Sequence, residues 1–372
     1  MVGKLVRRAE RVARQPWPRW LARFRPIVSE FALAIVNQER IPIANRVRCW
    51  IHGFYADKNL LYDFDTYSPT DYVSDYARNV RTDRINEPYK YLIGDKWVAP
   101  LILHGLGGPV PHTYAVTQDR RLVFAGTESD AAGGKLSKLL ARQKRLIVKP
   151  RMGSGGQGVF RLEWTPEGAT VNGEPVDDID RWVVPDGSIV CEHVIQHPYA
   201  ETIFPGTVNT LRVITMWDYD RGEPFVAFAS HRFGTNRSGA VDNYGAGGIA
   251  TGVDIESGVL GRCSMVGDDR RPVDTPVHPE TGVQISGLQI PHWETTCREL
   301  VRLTASLPGI HYIGWDIVIT PDGFTIIEGN NRSDVVMQMF GPFLIDPRIR
   351  RFYERHGVVA RQPGQDPEGS TP

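Results

Sequence analysis

Two aliphatic runs, 313–320 and 324–328, flank the turn signal Pro321-Asp322-Gly323, and no other stretch restricts this chain as much. Ile313, Ile317, Val318, Ile319, Ile326 and Ile327 suit a pleated, buried surface, and the turn residues suit a tight reversal, so the segment reads as a β-hairpin. A three-residue loop pairs Thr320 with Phe324, and that register brings Asp316 opposite Glu328. Cross-strand neighbours on one face lie about 5 Å apart at Cβ. Asn330 follows Glu328 by two residues and shares its face. Two opposed acids among apolar neighbours repel unless a cation lies between them. Two carboxylates and an amide oxygen form a hard-oxygen set, so Asp316, Glu328 and Asn330 are candidate ligands for Mg²⁺ (or Mn²⁺).

The second dense signal is a glycine-rich loop. Gly153, Gly155 and Gly158 satisfy G-x-G-x-x-G within residues 149–159. A dinucleotide fingerprint needs a helix after such a loop, whereas Val159, Phe160 and Leu162 favour a strand. No Gly-Lys-Ser/Thr closes the loop, which excludes a Walker sequence. What remains is a strand–loop–strand flap whose backbone N–H groups at Gly153, Ser154, Gly155, Gly156, Gln157 and Gly158 can be lowered onto phosphates. Lys149 stands just before it, placed to meet the same phosphates. Protein kinases carry their lysine after the flap and have H-R-D and D-F-G sequences, which are absent here.

With 372 residues, 41% of them hydrophobic, the chain can build one large or two ordinary domains. Lys plus Arg and Asp plus Glu are each 43, so there is no overall basic field and nucleic acid is not an expected partner. The four cysteines are scattered, which suggests free thiols in a reducing, cytoplasmic setting. No apolar run reaches the roughly 20 residues that cross a bilayer. Residues 1–25 hold eight Lys or Arg against a single Glu10, with Leu5, Ala9, Val12 and Ala13 at helical spacing. That pattern fits a solvated basic helix, or one docking peripherally on the inner membrane face or on a partner there. Residues 361–372 are polar and Pro-rich, and 346–372 is expected to be a partly disordered tail.

Strands are expected at 113–116, 122–125, 146–150, 159–164, 189–195, 211–217, 225–230, 313–320 and 324–328. Helices are expected at 95–106, 134–145 and 294–307, with mostly helical segments over 27–92. The class is α+β.

A flap with a preceding lysine and a distant Asp…Glu-x-Asn resembles the ATP-grasp superfamily. The combination with Val208-Asn209-Thr210-Leu211-Arg212-Val213, His278-Pro279-Glu280-Thr281-Gly282, Gly94-Asp95-Lys96-Trp97 and Gly107-Gly108-Pro109-Val110-Pro111 resembles its sugar-transfer-associated branch, often labelled as related to α-L-glutamate ligases. The resemblance runs over roughly residues 50–345. It implies two α+β subdomains gripping ATP: a lid at about 134–192 and a metal-binding subdomain at about 193–345, after a basic, mostly helical region 1–49.

By position, it implies that Lys96 and Lys149 contact ATP phosphates and that the backbone of Glu192, His193, Val194 and Ile195 reads adenine. It further implies that Glu201 accepts the ribose hydroxyls and that Asn243, with Gly245, Gly247 and Gly248, forms a further phosphate or substrate loop. Arg212 and Arg232 resemble the arginines aimed at the γ-phosphate or the acyl oxygen, and with Lys149 they make up the catalytic set. Many such ligases carry an arginine two residues before the first metal aspartate, where this chain has Gly314, so that role passes to Arg212 or Arg332. The implied activity is an ATP- and Mg²⁺-dependent, ADP-forming carboxylate–amine or carboxylate–hydroxyl ligase in cell-surface polysaccharide synthesis. Its partners would be a small carboxylate and a nucleophile. A phosphotransferase on the same scaffold and a nucleotide-binding adaptor for glycosyltransferases are the alternatives.

Overall fold

The computed structural model describes residues 41–361 except 120, 127–133, 154, 155, 157, 269 and 270. The basic helix expected within 1–25 and the polar segment 362–372 lie outside the described residues. Two seven-stranded sheets organise the rest.

The first sheet has the order β2-β1-β7-β3-β4-β5-β6. Its strands are β1 (Thr113–Gln118), β2 (Arg121–Phe124), β3 (Arg145–Pro150), β4 (Phe160–Thr165), β5 (Gly168–Val171), β6 (Glu174–Val176) and β7 (Ser188–Glu192). One helix, Leu136–Gln143, lays Leu136, Leu139 and Leu140 against Leu146, Val148, Leu162 and Val190. Those leucines recur at i, i+3 and i+4, the spacing of one buried face. The sheet containing residues 134–192 also takes in β1, which pairs with β7 in the register Val116↔Ile189. That pairing joins residues too far apart in sequence for local pattern to show.

The second sheet has the order β12-β11-β10-β9-β8-β13-β14. It comprises β8 (Leu211–Asp218), β9 (Glu223–Phe233), β10 (Ile249–Val253), β11 (Leu260–Val266), β12 (Pro272–Asp274), β13 (Tyr312–Thr320) and β14 (Gly323–Asn330). β8 and β13 lie side by side inside it, and Leu211, Val213, Ile214, Ile313, Trp315, Ile317 and Val318 are fully buried. The helix Trp293–Ala305 packs Leu300 and Leu303 into this core. Trp315 spends its only donor on Thr215 Oγ1 at 2.9 Å, so its burial leaves no orphan N–H.

Residues 346–361 are not a tail. Asp346 caps a helix at Pro347–Arg355, accepting from the Arg348 N–H at 2.7 Å, and Ile349, Phe352 and Tyr353 are buried. Four arginines in nine residues conceal an i, i+3, i+4 apolar stripe that is too short to register as a helix. β5, β6 and β10–β12 go beyond the strands expected from sequence: β5, β6 and β12 have only three or four residues, and glycine or threonine interrupts the apolar pattern of β10 and β11.

The hairpin differs in one instructive way. Thr320 pairs with Gly323, so the loop is Pro321-Asp322, one residue shorter than expected. A bulge between Asp316 and Ile317 leaves Ile327 without a ladder partner, and beyond it Asp316 pairs with Glu328. The two departures cancel, and the carboxylates face each other as the sequence implies.

Candidate active site

Asp316 is the hub. On β8, Arg212 stands in register beside it, and the guanidinium grips the carboxylate with both arms, Nε to Oδ1 at 2.6 Å and Nη2 to Oδ2 at 2.8 Å. Both residues are buried, so this is a bidentate pair in a low-dielectric setting. Arg232, on β9, adds Nη2 to Oδ1 at 3.0 Å. Burial alone would push the Asp316 carboxyl up, but the two guanidiniums overcome it and hold the group well below the usual carboxylate range. Arg232 also donates to Thr210 Oγ1, and the Thr210 N–H and hydroxyl both donate to Asp242 Oδ2.

The third Arg212 nitrogen reaches Ser333 Oγ at 2.9 Å. Gly314 makes this possible, since a Cβ there would lie 2.6 Å from Ser333 Oγ. The loop carrying Ser333 is clasped by the N-terminal layer. Arg78 donates to the Ser333 and Arg332 carbonyls at 3.1 and 3.2 Å, and Tyr62 donates to the Val335 carbonyl at 2.6 Å. Arg332 itself is exposed, so Arg212 is the arginine placed against Asp316.

Glu328 and Asn330 complete the cluster. Asn330 Nδ2 stands 3.3 Å from both Asp316 Oδ2 and Glu328 Oε1. Amide nitrogen and oxygen exchange by a simple flip, so the same side chain can present an oxygen beside the two acids. Lys96 places its ammonium 2.9 Å from Glu328 Oε2 and 2.7 Å from the Gly153 carbonyl. A cation thus already sits between this carboxylate and the root of the flap.

The flap approaches the loop between β9 and β10. Gly156 has φ +72°, and a Cβ there would fall 2.3 Å from Val241 Cγ1. Gly158 also has φ +72°, and its Cβ would press Pro150 at 3.0 Å. Only glycine fits either place. Ser154, Gly155 and Gln157 lie outside the described residues.

Of the other expected residues, Lys149 is half-buried on β3, opposite Ile189. β7 ends at Glu192, whose backbone N–H donates to the His112 carbonyl at 2.8 Å. Beyond it the chain leaves the ladder through His193, Val194 and Ile195. His193 Nδ1 is buried with no hydrogen-bond partner, and burial lowers the ring's pKa, leaving it neutral near pH 7.

Glu201 and Asn243 are not drawn into the cluster. Glu201 accepts from Gln196 Nε2 at 2.7 Å, and Asn243 Oδ1 caps its own turn by accepting the Gly245 N–H at 2.9 Å. In each case a nearer donor claims the oxygen. His278 is fully buried and meets the Gly234 carbonyl at 2.8 Å, an internal tie. Sequence reasoning missed Ser333, Asp242, Arg78 and the Asp95–Arg151 pair described below. Asp95 alone carried a signal, because it adjoins Lys96.

The family model described as sugar-transfer associated ATP-grasp matches residues 77–352. No curated protein matches the chain in sequence. Solved structures similar to it include a biotin carboxylase–β,γ-ATP complex from Campylobacter jejuni, at 16% identity and a TM-score of 0.42, covering 73% of this chain and 48% of that one. The D-alanine–D-alanine ligase of Coxiella burnetii shows 12% identity and a TM-score of 0.34, covering 72% and 59%. D-alanyl-alanine synthetase A of Vibrio cholerae shows 11% identity and a TM-score of 0.38, covering 70% and 65%. This chain spans about half to two thirds of the length of these three structures.

Proposed function

The chain belongs to the sugar-transfer associated ATP-grasp family, and from that premise we propose that it is an ADP-forming, Mg²⁺-dependent ligase. It would activate a carboxylate with ATP and join it to an amine or a hydroxyl, in cell-surface polysaccharide or sugar-conjugate synthesis. The observation that carries this reading is the convergence of Asp316, Glu328 and Asn330 with Arg212, Arg232 and Lys96 beneath the flap root at Gly153.

The donor set fits a hard divalent cation: two carboxylates and an amide at one strand end, with Glu328 already taking the Lys96 ammonium. Asp316, Glu328 and Asn330 would hold Mg²⁺ (or Mn²⁺), which when bound neutralises charge on the β- and γ-phosphates. The chain's own residues do the rest. Lys96, Lys149 and the flap N–H groups would fix the phosphates with aimed donors in place of water. Arg212 keeps Asp316 ionised and oriented. Arg232 bonds the carboxylate through Nη2 and would face the oxygen of the incoming acyl group. The acceptor carboxylate attacks the γ-phosphate to give an acyl phosphate and ADP, and the nucleophile then displaces phosphate. No protein nucleophile is needed.

The test is ADP release by the purified full-length chain with Mg²⁺, using amino acids and uronic-acid sugar nucleotides singly and in pairs. Release should require a pair and should fall at least about a hundredfold in Glu328→Gln. A phosphorylated product from a single hydroxyl-bearing acceptor would instead identify a phosphotransferase. Equal turnover in Glu328→Gln would refute the metal assignment.

We further propose a peripheral contact with an anionic membrane surface near the N-terminus. The helix Ile43–Ile51 buries Cys49 but turns an apolar stripe outward: Ile43, Val47 and Ile51 are 69%, 44% and 74% exposed. Arg48 turns inward, bonding Asn59 at 2.9 Å and lying over the Phe64 ring. In sequence, this stripe follows residues 1–25, which hold eight Lys or Arg. Among the described residues, no helix is long and apolar enough to cross a membrane.

A further inference from the structure

Two ties bind the root of the glycine flap to the helical layer, one through Lys96 and one, outside the phosphate-binding set, through Asp95 and Arg151. Asp95 ends the turn before the helix Val98–Gly105, and its Oδ1 accepts the N–H groups of Trp97 and Val98 at 2.9 and 3.3 Å. Fixed in this way, the carboxylate takes the Arg151 guanidinium side-on. Nε lies 2.8 and 2.9 Å from the two oxygens, and Nη2 lies 2.7 Å from Oδ2. Arg151 is two residues before Gly153. Its backbone is held from both sides, the N–H by the Gly187 carbonyl of the lid at 2.8 Å and the carbonyl by the Lys96 N–H at 3.2 Å. Lys96 then reaches past it to the Gly153 carbonyl and to Glu328.

Consecutive residues 95 and 96 therefore grip consecutive points of the flap's entry. One grips through a side-chain fork, the other through backbone and ammonium. The same helix lines β14, with Ala99 and Leu103 in the pocket shared with Ile326, Glu328 and Gly329. A side-on arginine–carboxylate pair has a fixed geometry, unlike a flexible surface ion pair, and here its acid is pre-oriented by two backbone donors. Burial pushes the Asp95 carboxyl up, but the Arg151 guanidinium and the Trp97 and Val98 N–H groups more than offset it and hold it down, so the pair stays charged across the neutral range.

We propose that Asp95 and Arg151 form a latch that sets the fraction of molecules in which the root of the glycine-rich segment, Arg151 to Gly153, is held ready for nucleotide. This rests on the reading of the flap given above. The two are positioning residues: they touch the flap root, not the phosphates. Loosening them lowers the binding-competent fraction, and apparent affinity for ATP falls by that same factor.

The test measures binding, so it needs no acceptor substrate. Full-length wild type, Asp95→Asn, Arg151→Met and the double variant are titrated with ATP and Mg²⁺ by calorimetry, and flap-amide hydrogen exchange is followed without nucleotide. Each single variant should weaken ATP binding about tenfold and speed exchange at residues 152–158, and the double should be no worse than either single. Asp95→Glu should recover part of the affinity. Melting temperatures should stay close to wild type.

Unchanged affinity and exchange in both singles would overturn the latch. So would losses that multiply in the double variant, or losses that simply follow a large fall in melting temperature. If wild type fails to bind ATP, the functional reading falls on its own, and the exchange comparison still decides whether Asp95 and Arg151 hold the loop.

Discussion

At Gly314 a missing side chain sets the geometry of the strand beside it. The room it leaves is taken by Ser333 Oγ and Arg212 Cδ, the latter 3.5 Å from where a Cβ would be. Gly314→Ala should push Ser333 off Arg212 and slacken its hold on Asp316. The expected cost is about 1–3 kcal/mol, typical of overpacking, read as a lower urea midpoint with an unchanged slope. Turnover should fall with it, and an alanine variant as stable and active as wild type would separate Ser333 from the site. Residue identity was legible only where partners are close in sequence. Asp316, Glu328 and Asn330 could be placed together because a turn and a strand period connect them. Arg212 stood out within its motif, but its partner lies 104 residues away on a neighbouring strand, an adjacency no local pattern encodes.

Among the elements, the hairpin shows both reach and limit. Aliphatic alternation and turn chemistry predicted the strands to within a residue or two. The shorter loop and the compensating bulge, which leaves Ile327 without a ladder partner, are not written in the alternation. The helix Pro347–Arg355 was missed outright, and its docking suggests a pH dependence. Tyr219 Oη lies 2.8 Å from both His311 Nδ1 and His356 Nε2, with the Arg355 guanidinium 4.1 Å from its ring. Burial, then His311 and Arg355, lower the His356 pKa from 6.5 to about 4. Because the folded ring resists a proton that the unfolded one accepts, its neutral form costs no stability above about 6.5. Stability is lost as pH falls from there toward 4. The unfolding midpoint should drop over that window, and His356→Gln should flatten the slope. Parallel slopes in the two proteins would remove His356 from the account.

Across the whole molecule, family membership and the α+β class were legible from motifs, whereas the arrangement into two seven-stranded sheets and the layer that steadies the site were not. Arg78, Tyr62 and Gln338 reach across more than 250 residues to hold the loop after β14. Such ties depend on the assembled fold. The same layer carries the outward stripe of the helix Ile43–Ile51. Full-length protein should therefore sediment with vesicles containing anionic lipid and not with purely zwitterionic ones. Val47→Glu should weaken that association and leave ATP binding unchanged, and equal sedimentation with both vesicle types would refute the contact. The unpaired residue at Ile327 has a practical consequence of its own. It separates the turn at Pro321-Asp322 from the acids above it, so a short tag or dye grafted into that turn should leave the site intact, giving experimenters a built-in handle for watching the protein.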